Sequence, residues 1–311
     1  MKLYCPDYYN SFKCIADKCR HSCCIGWEID IDDDTREFYR TVEGPLGERL
    51  KKGICDSEDG AHFILGEHER CPFLNKEGLC DLIIGLGEDK LCQICTDHPR
   101  FRSFYQDRTE IGLGLCCEEA ARMILTRDEK TNIIRLIDDG DLDTFLIEEI
   151  DLIKWRQQLI NIIQDRTMSV DDRLDDMLAF AEAELPEKTP SEWADILRPL
   201  ERLDSEWDKR LDALSCCGLK KLPFPMDSEW QTPMEQLAVY FLYRHIPGAL
   251  EDGDFEGRAA FAALSVRIIG ALLCLSSSPS MPELIDIARL YSSEIEYSDD
   301  NTYALLDELA Q

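Results

Sequence analysis

Cysteine is the residue that carries chemistry in this chain. Twelve of its fifteen cysteines fall in the first 117 residues: Cys5, Cys14, Cys19, Cys23, Cys24, Cys55, Cys71, Cys80, Cys92, Cys95, Cys116 and Cys117. Three groups stand out. The first is Cys14-x4-Cys19-x3-Cys23-Cys24. The second is Cys71-Pro72-Phe73-Leu74 followed by Leu79-Cys80. The third is Cys92-x2-Cys95, with His98-Pro99-Arg100 behind it and Cys116-Cys117 closing the series. A two-residue gap lets both sulfurs turn back on one metal while backbone amides point at them, which suits zinc and iron–sulfur chemistry alike. A three-residue gap does the same over one helical turn.

Zinc would favour two tight Cys-x2-Cys knuckles, and Cys92 with Cys95 is the one such pair. An iron–sulfur cluster tolerates irregular spacing better. There are more thiols than one four-ligand site needs, so some are small buried hydrophobes, neighbours of the ligands, or a second site. The Cys-x3-Cys-x2-Cys run of radical S-adenosylmethionine enzymes is absent, because Gly26 stands where its third cysteine would be.

Compartment favours metal over disulfides. The N-terminus lacks a basic region followed by an apolar run, so no signal peptide is expected. The apolar run near 259–275 is interrupted by Ser265 and Arg267 and reads as too short to span a bilayer. A cytoplasmic, reducing location follows as the expectation, and there clustered cysteines serve metals or redox chemistry. The net charge of −29 argues against nucleic acid and anionic membranes as partners. Its first meaning is solubility; its second is attraction for a basic partner.

Other residues carry weaker signals. His98 and Arg100 can place an imidazole and a guanidinium beside the metal or stand solvated on a rigid turn at Pro99, and Trp27 can anchor a small core or offer a stacking surface. These three are the candidates for cofactor contact. Asp30, Asp32, Asp33 and Asp34 read as a solvated acidic turn, His245 as a core histidine, and Cys216-Cys217 as buried thiols at a helix end. Neither Gly112-x-Gly114 nor Gly85-x-Gly87 continues into a dinucleotide-binding fingerprint.

The elements that must position the thiols differ between the two halves. Residues 1–117 are rich in turn signals, with a strand expected over 26–31, a brief helix over 35–39, and short strands or ligand loops at 82–84 and 111–115. Residues 118–311 read as successive amphipathic helices. These run over 118–135, 141–164, from Ser169, from a capping box at Thr189-Pro190-Ser191-Glu192 through Leu214 with a kink at Pro199, then 233–245, 255–275 and 282–295. The 220–233 stretch reads as a Pro-rich linker or a packed crossover. The 255–275 helix, apolar on most sides, is expected to be buried.

Taken in order, Phe12-Lys13-Cys14, Cys19, Cys23-Cys24, Gly26-Trp27, Cys71-Pro72-Phe73-Leu74, Gly78-Leu79-Cys80, Leu86-Gly87-Glu88, Cys92, Cys95, His98-Pro99-Arg100 and Cys117-Glu118-Glu119-Ala120-Ala121-Arg122 resemble the flagellin lysine-N-methylase family. The same pattern is similar to that of smaller zinc- or iron-chelating cysteine-cluster proteins. The resemblance covers residues 4–125. It implies methyl transfer from S-adenosylmethionine to lysines of flagellin or another protein, with a cysteine-bound iron–sulfur cluster of the 4Fe–4S type, zinc being the alternative. The ligand candidates it implies are Cys14, Cys19, Cys23, Cys24, Cys71, Cys80, Cys92, Cys95 and Cys117. Where the family has Cys-Pro-Glu, this chain has Cys116-Cys117-Glu118, so either sulfur can take that place. The expectation is a mainly α protein, with a cysteine-rich, metal-organised domain over 1–120 packed on a multi-helix domain over 121–311. The alternative function is a non-catalytic zinc- or iron-chelating binding module.

Overall fold

The computed structural model describes residues 2–57, 60–138 and 146–310. Its strands are β1 (Lys2–Pro6), β2 (Asp30–Ile31), β3 (Ile54–Ser57), β4 (Gly60–Phe63), β5 (Arg100–Phe104), β6 (Arg108–Leu113) and β7 (Ile133–Asp138). Its α-helices are α1 (Asp33–Thr41), α2 (Gly44–Gly53), α3 (Asp81–Leu86), α4 (Gln93–Asp97), α5 (Glu118–Leu125), α6 (Ile147–Ile163), α7 (Val170–Phe180), α8 (Pro190–Leu197), α9 (Glu206–Ser215), α10 (Ser228–His245), α11 (Ala249–Asp252), α12 (Phe255–Leu275), α13 (Met281–Tyr291) and α14 (Asp299–Leu309). The mainly α expectation is thus corrected to a mixed fold with two sheets, ordered β5-β6-β1-β7 and β2-β4-β3.

The chain separates into two units, one of Lys13–Arg100 and one of Met1–Phe12 with Phe101–Gln311. The boundary expected near residue 120 is therefore not where the chain divides. The reason is strand pairing: β1 runs parallel to β6, with Lys2 opposite Arg108, and antiparallel to β7, with Cys5 opposite Ile134. Residues 1–12 and 101–120 belong with the helices that follow them.

In the 13–100 unit, β2, β4 and β3 form an antiparallel sheet, with Ile54 opposite Phe63 and Asp30 opposite His62. Its core is Ile29, Tyr39, Leu50, Phe63, Phe73 and Leu82, with Cys71 and Cys92 buried among them. The rings run in sequence through space: Tyr39 to Phe63 at 6.3 Å and Phe63 to Phe73 at 5.1 Å. Only Val42 and Glu43 separate α1 from α2. Gly47 is required there, because a Cβ would sit 2.0 Å from the carbonyl oxygen of Val42. The 82–84 segment, expected as a strand or loop, is helical. A three-residue apolar run has no period of its own, and Cys80 sits at the N-cap of this helix.

In the other unit the helices gather on α12, which is buried nearly all round. At 21 residues it is long and apolar enough to cross a membrane, contrary to the expectation from its interrupted sequence, yet 83% of its most apolar stretch is covered by the fold. Arg267 on it is held by Asp171 and Asp175 of α7, each at 2.6 Å. The helix expected over 118–135 stops at Leu125; the β-branched run after Thr131-Asn132 becomes β7 instead. The capping box forms as expected, the Glu192 amide donating to Thr189 Oγ1 at 3.2 Å and the Thr189 amide to Glu192 Oε2 at 2.7 Å. The stripe behind it is broken after Leu197 rather than kinked. The loop before α9 donates its Leu203 and Asp204 amides to the buried Glu294 carboxylate at 3.0 and 2.7 Å. Pro233, expected to open the helix over 233–245, lies inside α10, which starts earlier, at Ser228. The 141–145 start of the next expected helix lies outside the described residues.

Two buried ion pairs fix sheet and helices. Glu110 of β6 receives two hydrogen bonds from Arg156 of α6, at 2.6 and 2.8 Å. Glu235 of α10 is held by Arg173 at 2.6 Å and Arg166 at 2.8 Å. Removing one member of such a pair strands the other charge in the core. We therefore expect Arg156→Met to cost about 3–5 kcal/mol, and the Glu110→Gln/Arg156→Met double variant to recover most of it. Urea unfolding of the three proteins measures this, and a single-variant loss below about 1 kcal/mol would contradict it.

Candidate metal centre

Cys71, Cys80 and Cys92 are each held in the same local way. Each stands just before a turn or helix start, and backbone N–H groups two or three residues ahead lie near each sulfur and favour its charged form. These amides are those of Phe73 and Leu74 for Cys71, Leu82 and Ile83 for Cys80, and Cys95 for Cys92. Cys80 and Cys92 are the N-cap residues of α3 and α4. Amides in this position favour the thiolate, as helix N-termini do for any anion.

Tight backbone links carry these sulfurs together. The 71–80 loop closes on Asn75, whose Oδ1 accepts from the amides of Glu77 and Leu79 at 3.1 and 2.9 Å. The Cys71 amide donates to the Cys24 carbonyl at 2.9 Å, which lays the Cys23-Cys24 turn beside the loop. Arg49 clamps the far side, bonding Asp81 Oδ2 at 2.7 Å and the Pro72 carbonyl at 3.0 Å. Asp32 joins α1 to α4: its carboxylate accepts the Thr35 amide at 3.0 Å and the Gln93 amide at 2.7 Å. Burial works against its charge, but these amides outweigh it and hold the carboxyl below its ordinary value. Among the four aspartates read as a solvated turn, Asp32 is thus a structural cap that fixes the residue after Cys92.

The result is one neighbourhood of thiols. Cys71 and Cys92 are buried, and Cys24, Cys80 and Cys95 pack against the same core. Cys24 lies within electrostatic reach of Cys71, Cys80 and Cys95. A hydrogen bond between the two thiols holds Cys92 below its ordinary value against burial and pushes Cys95 well up. A hydrogen bond from the Cys23 thiol, opposed by burial and helped by Ser22 and Arg70, pulls Cys24 down to about 7. Burial pushes Cys71 up to about 12.

The remaining candidates fall elsewhere. Cys14 is exposed, its sulfur accepting the Ala16 amide at 3.4 Å, and Cys19 is part-exposed outside this core. Cys55 is on β3, opposite His62. Cys117 is in the other unit, at the N-cap of α5. Trp27 packs on the thiol-bearing core as an anchor; its Nε1–H donates to the Cys23 carbonyl at 2.8 Å, and its ring lies 6.4 Å from that of His98. Burial, with Arg100 nearby, depresses His98 to about 4, so the imidazole is neutral at pH 7. Arg100 donates to the Thr96 carbonyl at 3.3 Å, at the C-terminal end of α4.

Among the described residues, no three of these side chains already close on one point as metal ligands. The donor set nonetheless fits a thiolate-bound metal: soft sulfurs, enclosed, with amides aimed at them. One further atom fits it. Tyr39 is buried in the same core, and its hydroxyl lacks a hydrogen-bond partner. The Cys92 amide lies near the oxygen without reaching hydrogen-bonding geometry, and the phenolic proton has no acceptor. A buried, unsatisfied hydroxyl costs about 1–3 kcal/mol.

A second polar cluster, in the other unit, was not legible as a site. A π-helical turn over Ser292–Glu296 carries Glu296 into the core. There it accepts from Tyr240 at 3.1 Å, lies 2.6 Å from His245 Nε2, and pairs with Arg244 Nε at 3.2 Å. The Leu115 amide donates to the Tyr240 oxygen at 3.2 Å. Burial, eased by Tyr297 and Arg244, pushes Cys116 up to about 12. His245 is a core histidine as expected. Arg244 beside His245 in the last turn of α10 was the available signal for the rest.

Comparison with known proteins gives partial matches. No family model matches the chain. It is 30% identical over 128 residues to the lysine-N-methylases of Salmonella typhimurium (strain LT2) and Salmonella choleraesuis, covering 39% of this chain and 31% of theirs. It is 29% identical over 128 residues to the flagellar biosynthetic protein FliU of Salmonella muenchen, covering 39% of this chain and 75% of that protein. No solved structure matches. The chain is a distant, partial homologue of these proteins, and its match spans about a third of the length of the lysine-N-methylases.

The Cys23–Cys24 hydrogen bond has a measurable consequence. In metal-free protein, alkylation of Cys24 by iodoacetamide should rise with a midpoint near pH 7, and Cys23→Ala should move that midpoint upward. Peptide mass spectrometry across pH 5–10 reads both. An unmoved midpoint would mean that Cys23 is not the donor.

Proposed function

We propose that this chain is a protein lysine N-methyltransferase of the flagellin-methylating type, using S-adenosylmethionine and carrying a thiolate-bound iron–sulfur centre in its 13–100 unit. The homology to lysine-N-methylases carries the reaction class. The shared neighbourhood of Cys24, Cys71, Cys80, Cys92 and Cys95 supports the metal centre, and these are the residues that would hold it. When bound, the centre would supply redox or Lewis-acid character to that site. Trp27 packs on the core that holds these sulfurs, and the neutral His98 ring lies 6.4 Å from that of Trp27.

The transfer itself needs an uncharged lysine. The ε-amine lone pair forms the new N–C bond to the donor's methyl group. The C–S bond breaks, its electron pair goes to the sulfonium sulfur, and the product nitrogen gives up a proton. The net charge of −29 draws basic protein segments to the surface. A reducing cytoplasm would keep the thiols available to metal.

Two measurements test the reading separately. Protein purified without oxygen should be brown and contain iron and sulfide, and Cys92→Ser/Cys95→Ser should lose most of both. Colourless protein holding zinc alone would remove the cluster and favour the chelating module. Incubation with S-adenosylmethionine, reductant and flagellin should add 14 Da increments, about one per methyl, to flagellin lysines. Unmodified flagellin, with no thermal shift of this chain by S-adenosylmethionine, would remove the methyltransferase.

A further inference from the structure

Tyr39 is the tyrosine of the 13–100 unit, and the methyl transfer does not account for it. Its ring is fixed: it is 1% exposed and stacks on Phe63 at 6.3 Å with 29° between planes. Phenylalanine would keep every one of those contacts and would not bury an unsatisfied hydroxyl. The chain therefore carries a hydroxyl where packing alone favours none. Its position is set by α1. That helix begins at Asp32, whose carboxylate holds the Gln93 amide next to Cys92, and Tyr39 follows two turns later. The oxygen thus stands beside the α4 start, where Cys92 and Cys95 are carried. The charges that most affect Tyr39 after burial itself are those of Cys92, Cys95 and Cys80.

We propose that Tyr39 is a positioning residue of the sulfur centre, its hydroxyl donating a hydrogen bond to a ligand thiolate of the Cys80, Cys92 and Cys95 set when metal is bound. The inference rests on the thiolate-bound metal proposed above. A neutral thiol is a weak acceptor, whereas a metal-bound thiolate is a good one. The missing acceptor therefore appears with the metal. Such outer hydrogen bonds orient ligands and tune the metal, and their loss usually costs 10–100-fold in affinity.

The test compares the whole chain with its Tyr39→Phe variant, both purified without oxygen. We expect the variant to release its metal at a 10–100-fold lower chelator concentration and to show a shifted thiolate-to-metal charge-transfer band. The metal-free variant should unfold at the same temperature as the metal-free parent or higher, because an unsatisfied group has been removed. Equal metal retention with an unmoved band would overturn the inference and leave the metal centre standing. An equal loss of stability with and without metal would also overturn it, assigning the hydroxyl to the fold alone. Absence of metal from both proteins would remove the metal centre and this inference together.

Discussion

The constraint on which the 13–100 unit depends is that sulfur is part of its core. Cys71 and Cys92 lie among Phe63, Phe73, Leu50 and Leu82, and Cys24, Cys80 and Cys95 pack on the same cluster. Buried thiols are weak acids, as the rise of Cys71 to about 12 shows. The backbone partly opposes this by turning amides toward Cys71, Cys80 and Cys92. The short elements follow from that arrangement. Helices α3 and α4 are only a turn or two long, and each begins immediately after a cysteine. Elements so short gain little from helix propagation and depend on what caps them.

The neighbouring unit is stabilised differently. It has a large apolar core around α12 and a few ion pairs that are almost wholly enclosed. Those charges link specific elements, Glu110 to α6 and Glu235 to α7, and would be costly in any misfolded pairing. The π-helical turn that admits Glu296 belongs to this scheme: it brings a carboxylate to Tyr240, Arg244 and His245 at once.

Much of the candidate site was legible because cysteine spacing encodes local geometry. The Cys71 to Cys80 loop and the Cys92-x2-Cys95 pair pack on one core, while among the described residues no three of their side chains close on a metal site. Cys14 and Cys19 do not join them in the structure, and nothing in their spacing distinguished them. Sequence order could not place β1, whose partners lie more than a hundred residues away, so the sheet of the second unit was missed and the unit boundary with it. Asp32 was misread because its second partner, Gln93, is distant in sequence. Helix signals were most reliable where the motif was self-contained, as at the Thr189–Glu192 capping box. They failed where β-branched residues followed a turn, as at Ile133.

The interleaving of the two units bears on how the protein can be divided. Strand β1 stands between β6 and β7 in its sheet, yet it is the first segment of the chain, and the whole cysteine unit intervenes before β6 is reached. A fragment beginning at residue 101 would lack the strand that joins β6 to β7 and would expose the unpaired edges of both. The cysteine unit, by contrast, is one continuous stretch and can be excised without cutting a strand pair of its own sheet. A permuted chain that opens between these units, with β1 moved to follow the last helix, would keep every strand pair and make the helical unit continuous.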